Sequence, residues 1–381
     1  MISFVWSSDY PVLAGTGGSE TYTIGHIREL RARGITAQLV TVGFGDKDGR
    51  ENFPDVPFVS MSPKQIAELD GQVIFVSEPM DITTKHPAYV ILHCPPRREK
   101  NRSFYLRRLQ DKRIITNSQF GARLWTDYLG LDENDVDVVY PFAAREFGEA
   151  PMARRNDKKI RILFAGRLTA EKGIYTFLSA LHLGVVPEIT APHNVIVNEF
   201  DLDFTVATPG ANMPEGKIIE KLLRAHPYVH LTPARTTPVN MAALLAEHDI
   251  VIMPSSSLFW HETFGILSLE AQHTGCRVVA SDDGGLPETD CGGLSLVEPD
   301  NPLALAQGIL KAAQLGRMTN IERRRAAKKF TLSQSVDSLL RAINYTYLSK
   351  NIETKYQDRT AANGSLQISL LQQDSNVLEE M

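Results

Sequence analysis

The sequence predicts an α/β protein made of two successive domains, each built on a parallel sheet. Short apolar runs alternate with helical stretches through most of the 381 residues, and this alternation is typical of β-α-β units. Both halves begin alike, because the apolar runs at 2–7 and 160–164 each lead into a glycine-containing loop and a helix. A polar stretch at 150–159 separates the halves. Domains of about 150 residues would divide this length into two.

These boundaries give four predicted parts. We predict an N-terminal Rossmann-like domain at 1–150 and a C-terminal Rossmann-like domain at 151–330. A helix within 331–350 is expected to pack back toward the N-terminal domain. Residues 351–381 are mostly polar, so a weakly ordered tail is expected there.

The first half opens with a strand, a glycine-rich loop and a helix at 20–33. Ser19 is a suitable N-cap for this helix, apolar residues recur in it at helical spacing, and Gly34 follows its last turn. A second helix is predicted at 120–129. The strands predicted in this half are 2–7, 37–42, 73–76, 89–92, 114–118 and 136–141.

The second half repeats the order of strand, glycine-containing loop and helix. Residues 184–203 fit no single period, so irregular structure or short strands are expected there. The strands predicted in this half are 160–164, 204–208, 229–231, 249–253 and 277–281. The predicted helices include 173–183, 215–225, 241–248, 302–315, 320–329 and 333–348.

The composition narrows the class of protein. A formal net charge of -5 at pH 7 argues against a nucleic-acid binder driven by bulk charge. Cys94, Cys276 and Cys291 form no C-x-x-C pair, which favours reduced thiols over a zinc site. The first strand follows no basic and apolar leader, and no apolar window reaches about 18 residues, so we predict a cytoplasmic protein.

Basic residues are concentrated between Arg97 and Arg113. A solvated helix face is one interpretation of this segment, and contact with an anionic acceptor or with the inner membrane face is the other. The basic residues are Arg97, Arg98, Lys100, Arg102, Arg107, Arg108, Lys112 and Arg113.

Two polar features of the first half lie where strands are predicted to end. The loop before the first helix contains Gly15, Gly17 and Gly18, and glycines at a helix start let free N–H groups approach an anion. Its spacing matches neither the dinucleotide-binding nor the P-loop pattern, so a tight turn and a phosphate site both stay open. His93 follows the strand at 89–92, at the edge where open α/β sheets bind ligands, although a structural role is the alternative.

In the second half, Glu262 and Glu270 flank the sequence Thr-Phe-Gly-Ile-Leu-Ser-Leu. The pattern predicts one carboxylate just before an apolar helix and another about two turns inside it. A solvated helix acid is the structural alternative for Glu270, and an acid favoured by the helix dipole is the alternative for Glu262.

These motifs together resemble the retaining glycosyltransferases of the GT-B fold, family 4. Glu262 and Glu270 match the E-x7-E pattern of that family, and Arg167 with Lys172 matches its G-R-x-x-x-x-K-G loop. The loop with Gly17 and Gly18, His93, and the sequence Gly-Gly-Leu-Pro-Glu at 284–288 also stand in the family's order. The resemblance covers about residues 1–348 and implies two Rossmann-like domains that face each other across a cleft. It implies that the domain at 1–150 is on the acceptor side and that the domain at 151–330 binds the nucleotide-sugar donor.

The resemblance implies a transfer of a sugar from a nucleoside-diphosphate sugar, with retention and without a metal. Negative charge grows on the diphosphate as its bond to the sugar breaks, and Arg167 and Lys172 are expected to stabilise that charge. Glu262 is expected to orient the sugar, Glu270 to bind the ribose, and His93 to lie near the reaction centre. The donor-binding residues expected at the two helix starts are Gly17, Gly18, Phe264, Gly265, Ile266 and Leu267.

The expected partners are a UDP-, GDP- or ADP-sugar and an acceptor that is a glycan, a lipid-linked molecule or a small molecule. No cofactor, metal or nucleic acid is expected, and Asp201 and Asp203 are interpreted as a polar turn and not as a D-x-D metal site. Two other functions stay open: a non-catalytic relative that serves as a scaffold or partner subunit, and another enzyme of this fold that acts on nucleotide sugars or sugar phosphates.

Overall fold

The strands of the chain form two parallel sheets. The computed structural model describes residues 1–15, 17–151, 157–185 and 200–344. The first sheet contains β1 (Ile2–Trp6), β2 (Ala37–Val42), β3 (Phe58–Met61), β4 (Gln72–Val76), β5 (Ala88–Leu92), β6 (Lys112–Thr116) and β7 (Val136–Val138). The second contains β8 (Ile160–Phe164), β9 (Leu202–Ala207), β10 (Val229–Thr232), β11 (Ile250–Met253), β12 (Arg277–Ser281) and β13 (Leu294–Val297).

Helices connect the strands and cover the sheets. Those of the first half are α1 (Gly18–Ala32), α2 (Pro63–Ala67), α3 (Arg102–Leu109), α4 (Gln119–Leu129) and α5 (Arg145–Glu149). Those that follow are α6 (Ile174–Ala180), α7 (Pro214–Arg224), α8 (Pro238–Ala246), α9 (Ile266–Thr274), α10 (Pro302–Leu315), α11 (Asn320–Ala326) and α12 (Leu332–Asn344).

The strand order gives each sheet a switch point. The 7-stranded sheet has the order β3-β2-β1-β4-β5-β6-β7, and the 6-stranded sheet has the order β10-β9-β8-β11-β12-β13. Chain direction across the sheet reverses between β1 and β4 and again between β8 and β11. Ligands of open α/β sheets bind beyond the strand ends at such points. The predicted fold class, two Rossmann-like domains with parallel sheets in GT-B architecture, is confirmed.

The predicted elements missed β3 and β13, which are one edge strand of each sheet. Each of these strands has only half-buried or exposed residues, so its sequence shows neither a continuous apolar run nor a clean alternation. The N-cap prediction was also wrong, because α1 is preceded by Gly17 and receives no side-chain cap, while Ser19 lies inside the helix.

The bounds of several elements in the second half differ from the predictions. The helix expected at 173–183 is α6, which ends at Ala180 and continues as a π-helix over Leu181–Val185. The stretch expected to be irregular lies mostly outside the described residues, and β9 begins at Leu202. The last helix is described up to Asn344, and the predicted tail at 351–381 lies outside the described residues.

Helix α12 packs on the first sheet. Val336, Leu339 and Ile343 belong to the same buried cluster as residues of β1 and α1. The Tyr89 hydroxyl on β5 donates to the carbonyl oxygen of Ile343 at 2.6 Å. The last described helix therefore ties the end of the chain to its beginning, while the exact domain boundaries stay a prediction.

Candidate functional site

The loops beyond the switch points of the two sheets meet in one cleft. The Thr263 hydroxyl donates to the carbonyl oxygen of His93 at 2.6 Å and accepts from the Asn117 amide at 3.1 Å. These bonds join the loop after β11 to the loops after β5 and β6. They place Glu262, the neighbour of Thr263, beside His93 at the base of the cleft.

Lys172 forms an ion pair with Glu262 inside this cleft. The side chains are 23% and 19% exposed, so water screens the pair only in part. Burial alone would raise the pKa of Glu262, but the charge and hydrogen bond of Lys172, together with the charge of Arg167, outweigh burial and lower it. Glu262 is therefore ionised at neutral pH. The structure brings together the two charged residues that the sequence analysis assigned to the sugar and the diphosphate.

Arg167 stands at the outer side of this pair. Its side chain is 56% exposed and pairs with Glu171 at 2.7 Å within the same loop. Its charge still acts on Glu262, where it favours the ionised form. The cleft thus has one half-buried cation and one solvent-facing cation on the side of the second sheet.

The starts of helices α1 and α9 face each other across the cleft. A methyl group added at Gly18 would lie 3.1 Å from the Cδ1 atom of Ile266. Within the described residues, the backbone N–H groups of Gly18, Ile266 and Leu267 have no protein acceptor. Unsatisfied N–H groups at helix starts attract anions, so the two helices direct donors toward the same region.

The other predicted residues of these helix starts have different surroundings. Gly17 has an extended backbone with φ of -170°, which any residue adopts, so its conformation does not require glycine. Gly265 has φ of 94°, and a methyl group there would lie 2.7 Å from Leu286. The Phe264 side chain is 1% exposed and packs in the core. Only the backbone of Phe264, and not its side chain, can therefore bind a ligand.

Glu270 lies in α9, closer to the helix start than the sequence suggested. It is the fifth residue of the helix, so it lies about one turn inside and not two. Burial raises its pKa to about 7. Its carboxyl group has no hydrogen-bond or ion-pair partner within the part of the chain that the structure describes. A half-buried carboxyl group without a partner is suited to accept hydrogen bonds from a ligand.

His93 is buried and neutral. Burial, and next the neighbouring His26, lower the pKa of His93 to about 3. Its Nδ1 atom lies 2.7 Å from the Ser19 hydroxyl, and its Nε2 atom is buried with no partner among the described residues. The Tyr22 ring contacts it edge-on with centroids 4.9 Å apart. Ser19, expected to cap α1, instead orients this imidazole.

The glycine pair at 284–285 packs directly on the loop that carries Glu262. A methyl group at Gly284 would lie 2.1 Å from the carbonyl oxygen of Glu262, and one at Gly285 would lie 2.0 Å from that of Thr263. The N–H of Gly285 donates to the Glu262 carbonyl at 2.8 Å. These glycines support the backbone of the site, because no larger residue fits there.

Glu288 links the two halves of the chain, a role that sequence analysis did not identify. Its carboxylate accepts from the N–H groups of Gln119 and Phe120 at 2.8 and 2.6 Å and from the Tyr140 hydroxyl at 2.8 Å. An acid is favoured at a helix start such as that of α4. The contact joins residues that are far apart in the chain, so no local sequence pattern identifies it.

Most of the basic side chains between Arg97 and Arg113 are engaged within the protein. Arg97, Arg107 and Arg113 pair with acids, and Lys112 is 2% exposed beside Asp111. Arg102 donates to the carbonyl oxygen of Leu129, and Arg108 lies 3.7 Å from the ring centroid of Phe104. The segment is thus partly a structural element, which weakens the interpretation as a free basic face.

Neither a cluster of metal-ligating side chains nor a membrane-spanning helix is present in the part of the chain that the structure describes. No three His, Cys, Asp or Glu side chains converge there on a common point. Asp203, the second acid of the D-x-D sequence at 201–203, lies with its Oδ1 atom 3.2 Å from the Nε2 atom of His230. None of the described helices is long and apolar enough to cross a membrane.

Comparison with known proteins gives a family match for the second half. Residues 159–314 match the family model of the glycosyl transferases group 1. A D-inositol 3-phosphate glycosyltransferase of Geodermatophilus obscurus is 28% identical over 243 residues, 60% of this chain and 52% of the relative. An uncharacterized glycosyltransferase of Methanocaldococcus jannaschii is 29% identical over 48% of this chain and 43% of that protein. The chain therefore aligns with about half the length of these curated relatives.

Solved structures share the fold over nearly the whole chain. Sucrose-phosphate synthase of Thermosynechococcus elongatus superposes with a TM-score of 0.68 at 15% identity, covering 92% of this chain and 100% of that one. HepE of Anabaena, in complex with UDP and glucose, has a TM-score of 0.64 at 14% identity, covering 90% and 99%. These likenesses show the GT-B fold, and the family match over residues 159–314 supports a glycosyltransferase.

Proposed function

We propose that the protein is a retaining glycosyltransferase of family 4 that transfers a sugar from a nucleoside-diphosphate sugar to an acceptor without a metal. The observation that carries this proposal is the meeting of Lys172, Arg167 and Glu262 with the starts of α1 and α9 in one cleft. Positive groups and N–H donors are what a departing diphosphate requires.

The catalytic contribution of these groups follows from charge development. As the bond between the anomeric carbon and the diphosphate breaks, the sugar gains positive character and the leaving group gains negative charge. Lys172 and Arg167 stabilise the leaving group, and the N–H groups of Gly18, Ile266 and Leu267 add dipoles that are already oriented. Each interaction strengthens as the charge grows. It therefore stabilises the transition state more than the bound substrate, which lowers the barrier to sugar transfer.

The two acids and His93 take separate roles in this proposal. Glu262 is ionised and accepts hydrogen bonds from hydroxyl groups of the sugar. Glu270 accepts from the ribose hydroxyls, which supply the partners that its carboxyl group lacks in the protein. His93 is neutral, so near the reaction centre it offers a hydrogen bond without adding positive charge.

The donor is proposed to be a UDP-sugar in the first instance, because HepE of Anabaena binds UDP and glucose in the same fold. GDP- and ADP-sugars are the other candidates. Location in the cytoplasm and peripheral contact with an anionic membrane through the segment between Arg97 and Arg113 also stay predictions. Co-sedimentation with vesicles of phosphatidylglycerol tests the membrane contact, with vesicles of phosphatidylcholine as the control.

The test of the main proposal is turnover of a panel of UDP-, GDP- and ADP-sugars with a panel of acceptors. We expect release of nucleoside diphosphate, a glycoside that keeps the anomeric configuration of the donor, and full activity in EDTA. Lys172→Ala should abolish turnover. Lys159→Ala should not, because Lys159 is exposed at the opposite end of β8. Equal activity of both variants would exclude the assigned site.

The panel also separates the alternatives. A scaffold would release no nucleoside diphosphate, a phosphorylase would require inorganic phosphate, and an epimerase would change the donor without forming a glycoside. Loss of activity in EDTA, restored by a divalent cation, would refute the metal-independent mechanism.

A further inference from the structure

Glu78 and Arg97 form an ion pair on the first-sheet side of the cleft, and the proposed chemistry leaves it unassigned. Arg97 Nε lies 2.7 Å from Glu78 Oε1, and the side chains are 43% and 22% exposed. Glu78 follows the end of β4, one of the two strands at the switch point of that sheet. It therefore occupies, in the first sheet, the kind of position that Glu262 occupies in the second.

The backbone before Glu78 is strained. Ser77 has φ of 79°, which is uncommon for a residue other than glycine. The Ser7 hydroxyl fastens this turn, since it accepts from the Glu78 N–H at 3.1 Å and lies 2.5 Å from the Val76 carbonyl oxygen. Strained backbone held by neighbouring groups is concentrated at functional sites.

The segment that carries Arg97 lies against the loop that carries Glu262. The guanidinium of Arg98, the next residue, donates to the carbonyl oxygen of Phe259 at 3.2 Å. Phe259 stands three residues before Glu262 in the loop after β11. The Glu78–Arg97 pair and the Glu262–Lys172 pair therefore border the same junction between the two sheets.

We propose that Glu78, held in place by Arg97, binds the hydroxyl groups of a polyhydroxylated acceptor of the carbohydrate class. This inference rests on the proposed glycosyltransferase function and deepens it. The groups assigned to the donor belong to the second sheet or to the two helix starts, so the acceptor hydroxyl must approach from the first sheet. Glu78 is a half-buried carboxylate on that side.

The chemistry of the pair fits hydroxyl groups. A carboxylate has acceptor capacity for about four hydrogen bonds, so one arginine leaves room for others. Burial raises the pKa of Glu78 against the opposing effect of Arg97, and hydroxyl donors from a ligand would favour the ionised form. Arg97 is a positioning residue, because it acts on a ligand through the Glu78 carboxylate that it holds at 2.7 Å.

The test compares Glu78→Gln with Glu99→Gln in the full chain. Glu99 is the matched control, since it lies 3.9 Å from the same arginine but is 63% exposed. The donors are UDP-glucose, GDP-mannose and ADP-glucose, and the acceptor probes are methyl α-glucoside, methyl α-mannoside and n-butanol. Transfer, donor consumption and the dissociation constant of the nucleoside diphosphate are measured for each variant, with thermal melting as a check of folding.

We expect the methyl glycosides to accept sugar in the wild type and butanol to be a poorer acceptor. Glu78→Gln should raise the acceptor KM about tenfold, as expected for loss of one charge-assisted hydrogen bond, while the nucleoside diphosphate affinity changes much less. Arg97→Lys should fall between Glu78→Gln and the wild type. A purely structural pair would alter both constants together.

Two results would overturn the assignment of Glu78: equal acceptor KM values in Glu78→Gln and Glu99→Gln, or a wild type that consumes donor without transfer to either methyl glycoside. A wild type that neither consumes any donor nor melts at higher temperature with UDP, GDP or ADP would instead refute the proposed function, and the acceptor site with it.

Discussion

Replacement of Lys172 by methionine separates the structural from the functional role of its ion pair. Methionine keeps most of the apolar stem and removes the charge, which leaves the Glu262 carboxylate in a site where it is only 19% exposed. Loss of one partner of a fully buried pair costs about 3–5 kcal/mol. Partial exposure and the nearby charge of Arg167 reduce this, so we expect a loss of roughly 2 kcal/mol.

The assay for stability is thermal melting as a function of pH. A loss of roughly 2 kcal/mol corresponds to about 4–8 °C for a domain of this size. Because Lys172 lowers the pKa of Glu262 below 4.5, the pair stabilises the folded chain above that pH, and the benefit disappears as the pH falls through the lowered pKa. The gap between wild type and variant should therefore be full at pH 7 and close toward pH 3.

The double variant Lys172→Met, Glu262→Gln provides the decisive comparison. Removal of both charges leaves no unpaired buried carboxylate, so stability should return to near the wild-type value while sugar transfer stays abolished. A single variant as stable as the wild type at pH 7, or a double variant that transfers sugar, would refute this reasoning.

Three other substitutions give distinct outcomes. Burial raises the pKa of Glu270 to about 7, so ionisation of this carboxyl group lowers the stability of the folded chain as the pH rises from 4.5 to 7. The variant Glu270→Gln should therefore melt at a higher temperature than the wild type at pH 8 and at the same temperature at pH 4. It should also bind UDP more weakly in a titration. Glu288→Gln should lower the melting temperature through loss of about 1–2 kcal/mol at the start of α4. Glu298 is an exposed acid that accepts from the Asn301 amide within its own loop, so Glu298→Gln should lower the melting temperature less, and equal losses would contradict the link between sheets. Gly173→Ala should unfold far below the wild type in circular dichroism, because its φ is 71° and the added methyl group would lie 1.6 Å from the Pro254 carbonyl oxygen; a stable variant would show that the loop can move.

The sequence predicts the interior strands of each sheet well, but it fails for one edge strand of each sheet. Strands such as β1 and β5 are buried at every residue, which produces the continuous apolar runs that pattern analysis detects. The edge strands β3 and β13 have no fully buried residue, so they resemble loops in sequence. Their strand character comes from hydrogen bonds to β2 and β12, which no local window contains.

The sequence likewise predicts only part of the candidate site. Lys172 and Glu262 were found from motifs, because each motif lies in one loop. The contacts of Ser19, Asn117 and Glu288 were not, since their partners are 74, 24 to 146, and 148 to 169 residues away in the chain. Such contacts depend on how the two sheets face each other, and amphipathic periodicity carries no information about that.

Thr263 shows why neither half of the chain contains the site by itself. Its hydroxyl binds the His93 carbonyl from the first sheet, while its backbone lies against Gly285 of the second. The distance between Lys172 and Glu262, which stands one residue earlier, is therefore set within the second sheet. The distance between Glu262 and His93 is set by how the two sheets pack against each other. The charges that would bind a diphosphate and the imidazole expected near the reaction centre are thus fixed by the same short loop. A change in the angle between the sheets would alter both at once, which ties assembly of the cleft directly to its chemistry.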